Sequence, residues 1–121
     1  MMKVAVTSQG PDLGSQIDPR FGRARNFIVL DTESDEFSVH DNAQNLNASQ
    51  GAGIQAGRTV VDLGVQAVIT GNLGPKAFAT LQAGSVNVHQ VTGGTVKEVF
   101  EKFKAGELPA VDGANVKGHW M

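Results

Sequence analysis

Gln66-Ala67-Val68-Ile69-Thr70-Gly71-Asn72-Leu73-Gly74-Pro75 is a short apolar run that stops at a glycine turn and reopens on a proline. An apolar, β-branched run without polar alternation reads as a strand buried on both faces, the kind found in parallel sheets. Pro75 fits the first position of a helix, where its missing N–H costs nothing; that helix carries Phe78 and Leu81 and closes at Gly84. The next unit repeats the arrangement. Val86 to Val91 is a strand, Thr92-Gly93-Gly94-Thr95 is a turn, and a helix from about Thr95 presents Val96, Val99, Phe100 and Phe103 as its inner stripe before Ala105-Gly106.

On the N-terminal side the pattern changes. Lys3 to Thr7 is a strand ending at Ser8-Gln9-Gly10-Pro11, and Phe27-Ile28-Val29-Leu30 is a second strand ended by Asp31. Polar residues 32–36 form a hairpin turn, and Phe37-Ser38-Val39-His40 alternates as a returning strand with one covered side. Asn42 to Gln50, rich in Asn, Gln and Ser, is a loop. A helix then starts near Gly51, with Ser49 as N-cap, Ile54, Val60, Val61 and Leu63 as its stripe, and Gly64 as its C′ residue. The order β-loop-β-β-loop-α-β-α-β-α predicts an α/β fold: a mixed sheet with helices on its faces. Residues 1–107 form a single domain, and Leu108 to Met121, rich in Pro, Gly, Asp and Asn, reads as a loosely ordered tail.

Composition narrows the function. The 121 residues carry 10 Lys and Arg against 12 Asp and Glu, a net charge of −2 that argues against non-specific nucleic-acid binding. No apolar run has membrane-spanning length, and Met1 to Val6 enters a strand without a signal-peptide core, so a cytoplasmic compartment is expected. Cysteine is absent, which removes disulfides, thiolate nucleophiles and Cys-ligated clusters.

Against this mildly acidic background one segment stands out. Ile17-Asp18-Pro19-Arg20-Phe21-Gly22-Arg23-Ala24-Arg25 places three guanidiniums and an aromatic within six residues. Arg stays charged and offers a rigid fork of donors, so such a loop suits an anion; a solvated basic turn paired with Asp12 and Asp18 at the surface is the plain alternative. Three glycine turns open helices: Ser49-Gln50-Gly51-Ala52-Gly53, Gly71-Asn72-Leu73-Gly74-Pro75 and Thr92-Gly93-Gly94-Thr95. In open α/β sheets ligands bind beyond the carboxyl ends of the strands, where helix N-termini present free N–H groups. Each turn taken singly is more readily structural; their combination with the Arg loop points to one anion-binding edge. No Walker lysine turn, dinucleotide fingerprint, serine nucleophile elbow or His-Glu-x-x-His helix is present. His40, His89 and His119 are isolated, and no catalytic residue is assigned.

Arg20-Phe21-Gly22-Arg23, the apolar strand ending in Asp31, Gly51-Ala52-Gly53 and Thr70-Gly71-Asn72-Leu73-Gly74-Pro75-Lys76-Ala77-Phe78 together resemble an established pattern. It is that of the dinitrogenase iron-molybdenum cofactor biosynthesis proteins, the group of NifX, NafY and the C-terminal region of NifB. The resemblance runs from Lys3 to about Lys104. It implies a ribonuclease H-like fold with a five-stranded mixed sheet, an antiparallel second strand and three helices. Within the family, a cysteine-free domain with a long tail is most similar to the orange-protein branch of sulfate-reducing bacteria, which implies a non-covalently held molybdenum–copper sulfide cluster. Nitrogenase members often use a His for their cofactor; no histidine of this chain is placed in that role, and no metal ligand is assigned. A nuclease is excluded because the first strand, Lys3 to Thr7, lacks the acid that holds its metals.

The resulting expectation is a cluster carrier rather than an enzyme. Arg20 and Arg23, with Arg25, would complement an anionic Mo/Cu or Mo/Fe sulfide cluster; Phe21 and Leu73 would form an apolar wall. The helix starts at Ser49, Gln50, Gly51, Ala52, Gly53, at Gly71, Asn72, Gly74, and at Gly93 with Gly94 would bring backbone N–H groups to its sulfides; Pro75, which has no N–H, and Gly22 complete the expected site. Protein partners in cluster assembly or delivery are implied, with no nucleic acid and no membrane. The alternative is a regulatory or scaffold module that uses the same edge for an acidic protein without metal; a weaker third reading is an enzyme acting on a small oxyanion.

Overall fold

The structure, a computed structural model, describes residues 2–42 and 52–111. Strands β1 (Lys3–Ser8), β2 (Asn26–Asp31) and β3 (Phe37–Asp41) come first. Helix α1 (Ala52–Asp62), β4 (Ala67–Thr70), α2 (Pro75–Ala83), β5 (Asn87–Gln90) and α3 (Val96–Lys104) follow. They build one sheet in the order β3-β2-β1-β4-β5. β1, β4 and β5 run parallel, while β2 is antiparallel to both β1 and β3. This is the five-stranded mixed sheet with an antiparallel second strand and three helices that the sequence predicts.

Register decides which residues meet which helix. Val4 pairs with Leu30 and Ala67, and Val6 with Ile28 and Ile69, so these six share one face. They form a core with Val96, Val99 and Phe100 of α3. Ala5 pairs with Val29 and Val68, placing these on the opposite face, where Ala56 and Val60 of α1 and Ala77 and Leu81 of α2 cover them. Alternation along a strand makes the partition strict.

The helix boundaries have local causes. Gly74 is the N-cap of α2 and Pro75 its first residue. Gly84 ends that helix for a steric reason: a Cβ there would run into the Val61 side chain of α1. The left-handed turn instead falls on Ser85, at φ 63°. Helix α3 opens on a capping box, in which the Glu98 amide donates to Thr95 Oγ1 at 3.1 Å and the Thr95 amide to Glu98 Oε1 at 2.9 Å. At its other end Lys104 donates to Asp35 Oδ1 at 2.8 Å, tying α3 to the β2–β3 turn. That hydrogen bond raises the Lys104 pKa above the ordinary lysine value.

One expectation meets a different outcome. The apolar side of β3 is uncovered, with Phe37 44% and Val39 39% exposed, because α3 packs over β1 and β4 and stops short of this edge. The chain after Leu108 is tied to β5 as far as Val111. His89 Nδ1 donates to the Leu108 carbonyl at 2.6 Å, Ala110 bridges to His89, and the Val111 amide donates to the Val88 carbonyl at 2.8 Å. Residues 112–121 lie outside the described residues. Among the described residues no helix is long and apolar enough to cross a membrane.

Candidate functional site

Because β1, β4 and β5 are parallel, their carboxyl ends share one sheet edge, and the connections leaving them are forced together there. The long β1–β2 connection folds back along this edge. The Asp18 amide donates to the Thr7 carbonyl at 2.8 Å, and the Thr7 hydroxyl donates to the Asp18 carbonyl at 2.7 Å. The loop is then stitched to the turn after β4: the Asn72 amide donates to the Pro19 carbonyl at 2.7 Å and the Phe21 amide to the Asn72 carbonyl at 3.1 Å. Glycine is required at both close approaches. A Cβ on Gly71 would lie 2.7 Å from Pro19 Cα, and one on Gly22 would lie 2.9 Å from the Gly53 nitrogen at the start of α1. Asn42 secures the far end, its amide donating to the Arg25 carbonyl and its side chain to the Ala24 carbonyl, each at 2.8 Å.

Between the stitched loops and the starts of α1 and α2 lies a groove of about 690 Å³. Arg20, Arg23 and Lys76 stand on its lining, over a floor that includes Phe21, Leu73 and Ala77, all at most 3% exposed. Phe21 is held by the core, its ring centroid 6.0 Å from that of Phe27. The groove therefore combines positive charge with a largely apolar base. A second hollow, at the foot of the β2–β3 hairpin, is lined by Asp31, Glu33 and Glu36 beside Lys3 and has the wrong sign for an anion.

Arg20 is partly committed. Its amide donates to Asp18 Oδ1 at 3.0 Å and its Nε lies 3.3 Å from the same oxygen, while the side chain stays 66% exposed. Asp18 itself is buried, so the pairing anticipated at the surface joins an exposed guanidinium to a buried carboxylate that curls back over the next residues of its own loop. At the mouth of α2 the N-cap is Gly74, which has no side chain to satisfy the first amides. The Lys76 and Ala77 N–H groups find no acceptor among the described residues. An open helix start favours a bound anion.

The structure gathers most of the anticipated residues. Arg20, Phe21, Gly22, Arg23, Ala52, Gly53, Asn72, Leu73, Gly74 and Pro75 all line the groove. Gly71 does not line it; it packs against Pro19 in a neighbouring hollow that shares Asn72 with the groove. Arg25 does not join them; it lies across the loop with Gln9 and Asp18. Gly93 and Gly94 do not line the groove. Helix α3 packs on the opposite face from α1 and α2, and its first amides are spent: Val96 donates to the Ser15 carbonyl and Lys97 to the Leu13 carbonyl, each at 2.9 Å. Ser49, Gln50 and Gly51 lie outside the described residues. Ile54, Lys76 and Ala77 were missed. For Lys76 a signal existed, since a cation in the first turn opposes the helix dipole and calls for a reason.

Neither described histidine belongs to the groove. His40 Nε2 lies 2.9 Å from Ser38 Oγ on β3, and His89 packs edge-on against Phe103. Among the described residues no three His, Cys, Asp or Glu side chains gather into a ligand set. What the groove offers is charge, backbone donors and apolar contact.

A family model described as dinitrogenase iron-molybdenum cofactor matches residues 2–106. The chain belongs to this family. Among solved structures, the apo form of the orange protein from Desulfovibrio gigas matches with a TM-score of 0.93 at 39% identity, over 96% of this chain and 98% of that one. A putative NifB protein from Thermotoga matches with a TM-score of 0.83 at 37% identity, over 98% and 100% of the two chains. An uncharacterised protein of Methanocaldococcus jannaschii is 26% identical over 110 residues, 89% of this chain and 90% of its own length. The family match takes in every element that frames the groove, from the Arg loop to α2.

Proposed function

We propose that the groove binds and carries an anionic molybdenum-containing sulfide cluster, of Mo/Cu or Mo/Fe type, as a non-covalent cargo in the cytoplasm, and that the protein is a carrier rather than a catalyst. The observation that carries this reading is the convergence of Arg20, Arg23, Lys76 and the open amides of α2 on one apolar-floored groove. Family membership and the likeness to the orange protein support a cofactor-related role.

The residues fit such a cargo. A metal–sulfide polyanion brings its own sulfides as outer atoms, so the protein needs donors and countercharge, not ligands. Guanidinium groups and N–H donors supply both. Sulfide is a large, weakly hydrated acceptor, and the buried Phe21, Leu73 and Ala77 give it an apolar surface from which water is displaced. Two backbone hydrogen bonds, Phe21 to Asn72 and Asn72 to Pro19, fix the two loops against each other, which reduces the ordering needed on binding. The cargo would be exchanged with protein partners in assembly or delivery.

The test is reconstitution. The chain, incubated anaerobically with tetrathiomolybdate and a copper(I) salt, should elute from gel filtration with molybdenum and copper in fixed ratio and with sulfide-to-metal charge-transfer bands. A colourless, metal-free protein fraction would overturn the proposal.

A further inference from the structure

Among the described residues, no strand lies beyond β3 at the edge of the sheet farthest from β5. β3 is an outer strand, and the ladder alternation shows which of its groups face outward. The Asp31 amide donates to the Glu36 carbonyl and the Asn42 amide to the Arg25 carbonyl, so the even-numbered residues of β3 bond to β2. The N–H and C=O groups of Phe37 and Val39 therefore point away from the sheet. Natural edge strands are blunted by Lys, Pro, bulges or a covering element. Phe37-Ser38-Val39-His40-Asp41 contains no Lys or Pro and pairs with β2 without a bulge.

The side chains agree. Met2, Phe37 and Val39 are the exposed large hydrophobic residues among those described, at 37%, 44% and 39%. Register places all three on one sheet face, the half of the α3 side that α3 leaves bare: Phe37 pairs with Leu30 and Val39 with Ile28, both core residues of that face. The surroundings are acidic. Residues 31–41 hold Asp31, Glu33, Asp35, Glu36 and Asp41, five of the chain's 12 acids, and none of its 10 Lys and Arg. Two cations reach this region, Lys3 beside Asp31 and Lys104, the latter shared by Asp35 and Glu101, against five acids.

We propose that the outer edge of β3 docks an extended segment of a partner protein, carrying apolar residues two apart with basic residues between and around them. Such a segment adds a sixth strand: its backbone pairs with Phe37 and Val39, its apolar side chains cover the bare face, and its cations meet the acidic rim. A second copy of this chain is the poorer occupant, because it would bring an equally acidic strand to the same rim. The docking strip adjoins the cargo groove, since Asn42, directly after β3, bonds to the Arg25 and Ala24 carbonyls of the Arg loop. The proposal does not depend on the identity of the cargo.

The test uses the full chain, ¹⁵N-labelled, and a peptide of alternating valine and lysine as the probe. Saturable shifts confined to Phe37, Val39 and their neighbours are expected. Val39→Pro removes an outward donor and leaves the β2 ladder intact, as edge strands tolerate. Phe37→Ser removes apolar surface. Each should weaken the peptide about tenfold or more, a loss of one pairing contact, while thiomolybdate uptake stays unchanged. Four outcomes would overturn the proposal: no shifts at millimolar peptide, equal affinity in both variants, equal binding of a valine–glutamate peptide, or self-association through β3 seen by sedimentation. Binding that emerges only after removal of residues 112–121 would also do so, by making that segment the occupant.

Discussion

Two glycines show how much of the site rests on single atoms. At Gly71 the backbone of the Arg loop passes so close that a Cβ would sit 2.7 Å from Pro19 Cα and 2.8 Å from the Pro19 oxygen. Neither is a flexible side-chain end, so the loop itself would have to move. Gly71→Ala should cost about 1–3 kcal/mol, as overpacking does, and should loosen cargo because the same loop carries Arg20 and Arg23. Gly93 is the contrast. Nothing lies within 4 Å of its missing Cβ and its φ is not in the left-handed region. Gly93→Ala should change stability by less than about 0.5 kcal/mol, as at an ordinary surface position, and retain cargo fully. Urea midpoints and molybdenum content measured on both variants check the pair. Lost cargo in Gly93→Ala would return the α3 turn to the site.

Among the elements, α2 carries the clearest conflict between stability and binding. Lys76 stands in its first turn, exposed, where the helix dipole disfavours a cation and would favour an acid by about 0.3–1 kcal/mol. Lys76→Glu should therefore raise the melting temperature slightly while lowering thiomolybdate uptake. A variant that gained stability and kept its uptake would remove Lys76 from the site. The βα units themselves were legible because apolar runs, Pro75 and the Thr95 cap punctuate them at the right spacings. The face taken by α3 was not. The right-handed crossover rule assigns a face only to a helix leading into another parallel strand, and among the described residues no strand of the sheet follows α3. Gly93 and Gly94 were placed in the site for want of that information. Phe37 and Val39 alternated as a covered strand should, but alternation records the face and not what lies over it. Lys76 stood in the sequence only as part of the family pattern, because nothing in the sequence says on what α2 opens.

Across the whole molecule charge is unevenly distributed. Arg20, Arg23 and Lys76 line one groove at the carboxyl edge of the parallel strands, while five of 12 acids lie in residues 31–41 around the opposite hairpin. A chain with a net charge of only −2 thus presents a local positive field to an anion, worth more in orientation and encounter than in bulk attraction. The central claim is that this field and the apolar floor hold the cargo without a protein ligand. The most direct measurement is cargo retention by an Arg20→Ala/Arg23→Ala/Lys76→Ala variant. It would be loaded beside wild type with tetrathiomolybdate and copper(I), passed through gel filtration, and confirmed as folded by its amide spectrum. The account predicts that wild type keeps molybdenum and the charge-transfer bands while the triple variant loses about tenfold or more of both, consistent with the removal of several charge-assisted contacts. A folded triple variant that retained as much molybdenum as wild type would contradict it.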